Sequence, residues 1–256
     1  MKLVFLGSGS AFTVGAGNFQ SNILLIKDDR QKLLLDCGSD IRFSLYAAGY
    51  SYRDITAIYL SHLHSDHAGG LEYIGFSRKF DDSCDRSKLY LHPDLINPLW
   101  QNTLSGSMGY LSEEEADLNS YFELETHHDK RNFSWSRILF ELVQVVHVRD
   151  SQDKLMPSYG LFFVLDGTKI FLTTDTQFDL AILNPYYQQA DLIFQDCETT
   201  ASPTKVHAHY QQLVTLPRAI KQKMWLYGYQ PGTLPNAQKA DFLGFVQCGQ
   251  EFDFNR

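Results

Sequence analysis

LSHLHSDHAGGLE, residues 60–72, sets three of the chain's nine histidines and an aspartate within six positions: His62, His64, Asp66 and His67. The stretch follows ITAIYLS (55–61), an apolar run of β character. In an extended or turning segment, side chains two apart point to the same side. His62 and His64 therefore aim at one point. Asp66 and His67 follow as the chain turns, and aim at a neighbouring point. Imidazole nitrogens with carboxylate oxygens suit Zn²⁺, Mn²⁺ or Fe²⁺. Gly69 and Gly70 then allow the tight backbone that starts the next helix. A polar loop of solvated histidines is the weaker reading for four potential ligands placed directly after a buried strand.

Outward from this stretch, strands dominate both halves of the chain. LVFLG (3–7) reads as a strand ending in a glycine turn, and SNILLIK (21–27) with KLLLDCG (32–38) as a β-hairpin. Ile41 to Tyr50 has helical spacing and stops at Gly49. KLYLH (88–92) is strand-like, and PDLINPLWQNTL starts a helix behind Pro93. RILFELVQVVHV (137–148) gives one or two strands, and YGLFFVLDGTKIFLTTD (159–175) two more around the Asp166-Gly167 turn. ADLIFQD (190–196) is a buried strand, Tyr210 to Lys223 a helix, and KMWLYGY (223–229) the last apolar strand. Residues 76–87 read as the least structured region. The polar, partly acidic segment 105–136, which carries His127 and His128, reads as a surface insertion or a lid. Strands alternating with helices predict an α/β protein with sheet inside and helices outside. With no repeat and no Pro/Gly-rich linker, residues 1–256 read as a single domain.

The totals narrow the function. Of 256 residues 44% are hydrophobic and 14% aromatic, which suits a packed interior rather than disorder. No stretch approaches about 18 consecutive apolar residues, so no membrane span is expected. The opening MKLVFLGSGSAF lacks the long apolar region and cleavage site of an export signal, and a cytoplasmic location is expected. Cys37, Cys84, Cys197 and Cys248 are scattered without a CxxC pair, and are expected to be free, buried thiols. The net charge of −8 sets 22 basic residues against 30 acidic ones. A protein gripping a polyanion concentrates Lys and Arg on one face, so extended nucleic acid is not the expected partner. A small anionic substrate fits, because a cation supplies the local positive field.

HLHSDH matches the HxHxDH signature of the metallo-β-lactamase fold, and later motifs follow in that family's order. The resemblance covers nearly the whole chain and implies a four-layer αββα sandwich. It places His147, in VVHV, as the third histidine of a first metal, and Asp175, in FLTTDT, as the bridging aspartate. The implied ligand sets are His62, His64, His147 and Asp175 for one ion, and Asp66, His67 and Asp175 for a second. The opening LVFLGSGSA, the hairpin and LLLDCG look like the ribonuclease Z branch, which is built of phosphodiesterases. KVHAHY (205–210) resembles the site of that branch's catalytic histidine, with His207 as the match. In ADLIFQDCE, Asp196 is the better match for its acidic partner and Glu198 the runner-up. In the implied mechanism a cation makes water reactive, Asp66 orients it and takes its proton, and His207, held by Asp196, stabilises the phosphate or protonates the leaving oxygen. Ser61 and Thr173 are candidates to hold the site's imidazoles in the right tautomer.

The chain departs from the family in two places. In MWLYGYQPG, Gly228 stands where the last histidine ligand of the second metal belongs. That leaves one or two ions per chain, a second site open to an added water or to His209, and reduced efficiency if two ions share the work. The stretch from His147 to Asp175 holds only the loop RDSQDKLMPS and a hairpin, with no room for the arm that ribonuclease Z proteins use to grip transfer RNA. A small phosphodiester such as a cyclic nucleotide is therefore the expected substrate. Two alternatives stand beside it: another hydrolase of this fold acting on a thioester or lactone, and a catalytically weakened metal-binding protein. The resemblance also implies a possible homodimer.

Overall fold

The apolar runs become strands buried on both faces. The computed structural model describes residues 1–256 apart from 16, 29, 113, 126–129, 255 and 256; His127 and His128 lie outside the described residues. In chain order the strands are β1 (Lys2–Phe5), β2 (Ile23–Ile26), β3 (Lys32–Leu35), β4 (Ala57–Leu60), β5 (Ser87–Leu91), β6 (Phe122–Leu124), β7 (Asn132–Trp135), β8 (Ile138–Gln144), β9 (Tyr159–Leu165), β10 (Thr168–Leu172), β11 (Leu192–Asp196), β12 (Met224–Tyr227), β13 (Gly244–Phe245) and β14 (Glu251–Asp253). They form two seven-stranded sheets, ordered β14-β1-β2-β3-β4-β5-β6 and β13-β12-β11-β10-β9-β8-β7. Each sheet pairs four strands antiparallel and continues with three in parallel.

Period-two alternation explains why the strands read as unbroken apolar text. Along β1 to β4, Leu3, Phe5, Ile23, Leu25, Leu33 and Tyr59 face the second sheet. Their neighbours Val4, Leu24, Leu34 and Ile58 face α1 (Ile41–Ala47), α2 (Ser65–Ala68), α3 (Leu71–Lys79), α4 (Pro93–Pro98) and α5 (Ser105–Met108). On the far side, α6 (Leu180–Gln189), α7 (Tyr210–Leu213) and α8 (Arg218–Lys221) cover the second sheet. The result is the expected helix–sheet–sheet–helix stack. Aromatic side chains join the sheets: Tyr59 stacks on Phe133 at 5.3 Å, and Phe5 meets Phe194 at 5.2 Å. Burying such a side chain contributes about 1.5–3 kcal/mol. Close to the histidine stretch the sheets are also hydrogen-bonded, Tyr159 N to Ser61 O (3.1 Å) and Tyr59 Oη to Tyr159 O (2.8 Å).

Several local expectations need correction. Segment 105–136 is not a plain insertion, because it supplies β6 and β7, an edge strand for each sheet. Helix α3 runs through Lys79 into the region read as unstructured. The helix expected from Tyr210 to Lys223 is two short ones, because Pro217 cannot donate a backbone hydrogen bond and starts α8 afresh. The strand containing Tyr227 is not the last: β13 extends its sheet, and β14 returns to pair with β1. All four cysteines are free, but only Cys37 and Cys197 are buried. Gly70 has an ordinary helical φ of −91°. It is needed for space, since a Cβ there would meet Gly38 O at 2.3 Å.

Candidate active site

Ligands in open α/β sheets sit beyond the carboxyl ends of the strands, and the predicted residues gather there. Strand β4 delivers His62 and His64, and α2 carries Asp66 and His67. Past β8 comes His147, past β10 comes Asp175, and β11 ends on Asp196. His207 arrives on the loop before α7. His62, His67, His147, Asp175 and Asp196 are buried; His64, Asp66 and His207 are partly exposed.

Partners behind the rings fix which nitrogen faces inward. His147 Nδ1 lies 2.8 Å from the Val206 carbonyl, which only accepts, so Nδ1 carries the proton and Nε2 is bare in the neutral ring. His67 Nδ1 donates to Asp36 Oδ2 at 2.7 Å. Ser61 Oγ donates to the same oxygen at 2.8 Å and accepts from His62 Nδ1 at 2.9 Å. All three Nε2 atoms are thereby turned inward, those of His62 and His147 as acceptors and that of His67 toward the carboxylates of Asp66 and Asp175. His62 Nε2 and His147 Nε2 each lie 3.1 Å from His64 Nδ1. One proton on His64 satisfies only one of these contacts, whereas a cation among the three nitrogens satisfies all of them. This donor set fits a divalent ion. Among the described residues three groups converge, each with ligand atoms within 4.8 Å of one another: His62, His64 and His147; His62, His67 and Asp175; and His147, Asp175 and His207. Asp175 Oδ2 lies 3.2 Å from His67 Nε2 and 3.7 Å from His147 Nε2. Asp66 Oδ2 is 3.2 Å from His67 Nε2.

Charge is balanced within the cluster. Burial, reinforced by His67, holds His62 well below the usual imidazole pKa. Burial opposes a proton on His67 too, but Asp175, Asp36 and Asp66 outweigh it and hold its pKa well above normal. In the same way burial would raise Asp175, yet His67 and His207 hold it well below the carboxylate range. Where a cation takes the position among these carboxylates, it replaces that proton.

His207 and Asp196 form a separate pair. Asp196 Oδ2 accepts from His207 Nδ1 at 2.7 Å and from Thr176 N at 3.0 Å, and Asp196 N donates to Thr173 Oγ1. Burial disfavours charge on His207, but Asp196 and Asp175 raise its pKa to about 10. Glu198, the runner-up, instead accepts from Thr204 N and Thr200 Oγ1, bracing its own loop. Ser61 and Thr173 do support the site. Asp36 was missed as a site residue although LLLDCG stood out. Its signal was an aspartate directly after a strand buried on both faces, and its φ of +63° marks a backbone held against its preference.

Gly228 is more than a missing ligand. Its φ is +77°, and a Cβ on it would lie 2.7 Å from Asp196 Oδ1. Among the described residues that oxygen is the one buried side-chain polar atom without a hydrogen-bond partner. The backbone here is shaped for glycine, with Asp196 in the space a side chain would need. His209 does not fill the gap: it caps α7, accepting from Gln211 N, and its Nε2 lies 2.9 Å from Thr200 O.

The cluster opens into a cavity of about 420 Å³, lined by His64, Asp66, His147, Asp175 and His207 together with residues of the loop after β1. No helix among the described residues is long and apolar enough to cross a membrane.

Comparison with known proteins agrees with this geometry. The metallo-beta-lactamase fold protein YhfI from Bacillus subtilis superposes with a TM-score of 0.74 at 16% identity, covering 98% of this chain and 99% of that one. A diphosphatase from the PhnP family gives 0.70 at 18% identity, with 99% and 98% covered. These likenesses establish the metallo-β-lactamase fold. An Anti-Pycsar protein Apyc1 from Paenibacillus harenae is 32% identical over 236 residues, 90% of each chain. The family model described as Anti-Pycsar protein Apyc1 matches residues 1–252, and the chain belongs to that family.

Proposed function

We propose that this chain is a metal-dependent phosphodiesterase of the ribonuclease Z-like branch, without the tRNA-gripping arm, and that it cleaves a small nucleotide such as a cyclic nucleotide. The observation that carries the reading is the convergence, at the wall of one cavity, of four inward-facing imidazole nitrogens and Asp175 beside the His207–Asp196 pair. His62, His64, His147 and Asp175 would hold one ion. Asp66, His67 and Asp175 would hold a second one less tightly, because Gly228 offers no side chain. When bound, the cation supplies Lewis acidity that makes water a nucleophile at neutral pH and offsets charge on the phosphoryl oxygens.

The chain's own residues do the rest. Asp66 stays ionised, because His67 overcomes the effect of its burial, and it orients the attacking water and accepts its proton. His207 keeps its proton at neutral pH, and Asp196 fixes Nδ1, which leaves the other ring nitrogen to protonate the leaving oxygen. Substrate size follows from the walls. Among the described residues no lysine or arginine lines the cavity, and the link from His147 to β9 is short. Nothing there tracks a long phosphate backbone.

The test is turnover of bis-p-nitrophenyl phosphate and 3′,5′-cyclic mononucleotides against a thioester and lactone panel, with Zn²⁺ or Mn²⁺ added. Phosphodiester cleavage that stops on chelation is expected. Turnover confined to thioesters or lactones contradicts the proposal. A second reading, a metal-binding protein with lapsed activity, draws on Gly228. It falls if the unmodified chain turns over a phosphodiester with either metal, and it stands if the chain binds metal and cleaves nothing.

A further inference from the structure

One wall of the cavity has no role in the chemistry above. It is built by Ala11 and Phe12, on the loop after β1. The Phe12 side chain is 92% exposed. Phe5, Phe122, Phe140, Phe163, Phe171 and Phe194, by contrast, are fully buried. Other exposed rings, such as Tyr46, Phe80 and Tyr110, do not line this cavity. An exposed aromatic is unremarkable by itself; this one lines the same cavity as His64, Asp66, His147, Asp175 and His207.

Its backbone is held although its ring is not. Thr13 N donates to Ser10 O at 3.1 Å, and Ser10 N to Tyr229 O at 3.0 Å. The Gln20 side-chain amide donates to Ala11 O at 2.9 Å and to Ser39 Oγ at 3.1 Å. Gln20 and Ser39 themselves line the cavity. Past Phe12 the loop passes Gly15 and Gly17, with φ of +80° and +74° and open space where a Cβ would sit on either. The ring thus has a fixed root at the rim and a free π-face. The other apolar lining is Ala11, Val148 and Val206. Phosphate is met by the histidines and carboxylates with their cation, but a nucleobase needs a flat apolar surface. Bases stack on aromatic side chains without requiring particular hydrogen bonds.

We propose that Phe12 is the stacking platform for the substrate's nucleobase, forming a base subsite beside the phosphodiester site. The proposal rests on the phosphodiesterase reading. The experiment measures steady-state kinetics of the full chain, loaded with Zn²⁺ or Mn²⁺, on a 3′,5′-cyclic mononucleotide and on the same cyclic ribose phosphate lacking the base. Phe12→Ala is expected to raise KM for the nucleotide about tenfold. Its kcat, its KM for the baseless compound and its thermal midpoint stay unchanged, and Phe12→Trp restores the nucleotide KM. An unchanged nucleotide KM, an equal rise on both substrates, or a change of oligomeric state in Phe12→Ala overturns the platform. A wild-type KM that does not distinguish the two substrates overturns the platform while leaving the phosphodiesterase reading intact. A wild-type chain that cleaves neither compound removes that reading, and the platform with it.

Discussion

The two sheets repeat one plan, four antiparallel strands followed by three parallel ones, yet they furnish the site very differently. The first sheet supplies a complete set of side chains from one short stretch after β4. A single carboxylate, Asp36, orients that set through His67 and Ser61. The second sheet supplies His147, Asp175 and His207 from separate loops and Asp196 from the end of β11; the Val206 carbonyl braces His147, and Thr176 N and His207 brace Asp196. It is also the half with a gap, at Gly228. A set built locally behind one brace is preserved or lost as a unit. A set spread over several strand ends can change one member at a time. In this chain the glycine falls in the distributed half.

The strongest way to break this comparison is to remove the one histidine of the distributed half that lies against the first half's His64. His147→Ala is expected to lower kcat/KM by about 10³-fold or more, as several kcal/mol of charge stabilisation go. Steady-state kinetics at saturating metal check this. An effect under tenfold means that the remaining groups hold the ion without His147.

Next is the His207–Asp196 pair. His207→Asn is expected to lower kcat by about a hundredfold, the lower end for loss of a general acid. The wild-type rate falls as pH rises into the alkaline range, where His207, its pKa raised by Asp196, loses its proton, and the variant lacks that decline. The sign follows from the raised pKa. The pair's contribution to stability is fully present below the unfolded histidine value of about 6.5, and is lost as pH rises through the folded value. Thermal midpoints of both proteins across the alkaline range sharpen the point, because the wild type should converge on the variant there. A pH profile unaltered in the variant would place the proton donor elsewhere.

The smallest effect probes the gap itself. Gly228→His is expected to cost about 1–3 kcal/mol of stability for a side chain at positive φ, before any displacement of Asp196, and to add no second tightly held ion. Thermal unfolding and metal content read the two outcomes. A variant as stable as the parent that carries one more ion per chain would show that the position was merely vacant.

Legibility in the sequence followed the same division. HLHSDH announced four residues at once, because a metal-binding turn compresses its ligands into a few positions. His147, Asp175 and His207 became readable only through the family's order of motifs. Each alone is an ordinary residue at a strand end or on a loop, and nothing local says that three loops meet. Asp36 went unassigned because its role lies in hydrogen bonds across the chain, to residues 25 to 31 positions away. Gly228 was recognised as an absence, but its positive φ and the close Asp196 oxygen are three-dimensional facts. The layered architecture was readable because strands buried on both faces leave continuous apolar text. The edge strands β6 and β7 were not, since their segment is short, polar and interrupted.

The central claim is that side chains distant in sequence share a cation, and counting ions tests it most directly. The purified chain, dialysed against metal-free buffer, is analysed for metal beside His64→Ala. The account predicts at least about one divalent ion retained per wild-type chain, as for a site with three or more protein ligands, and a loss of that ion in the variant with its fold unchanged by circular dichroism. A wild-type chain that retains none, or a variant that retains as much as the wild type, would contradict it.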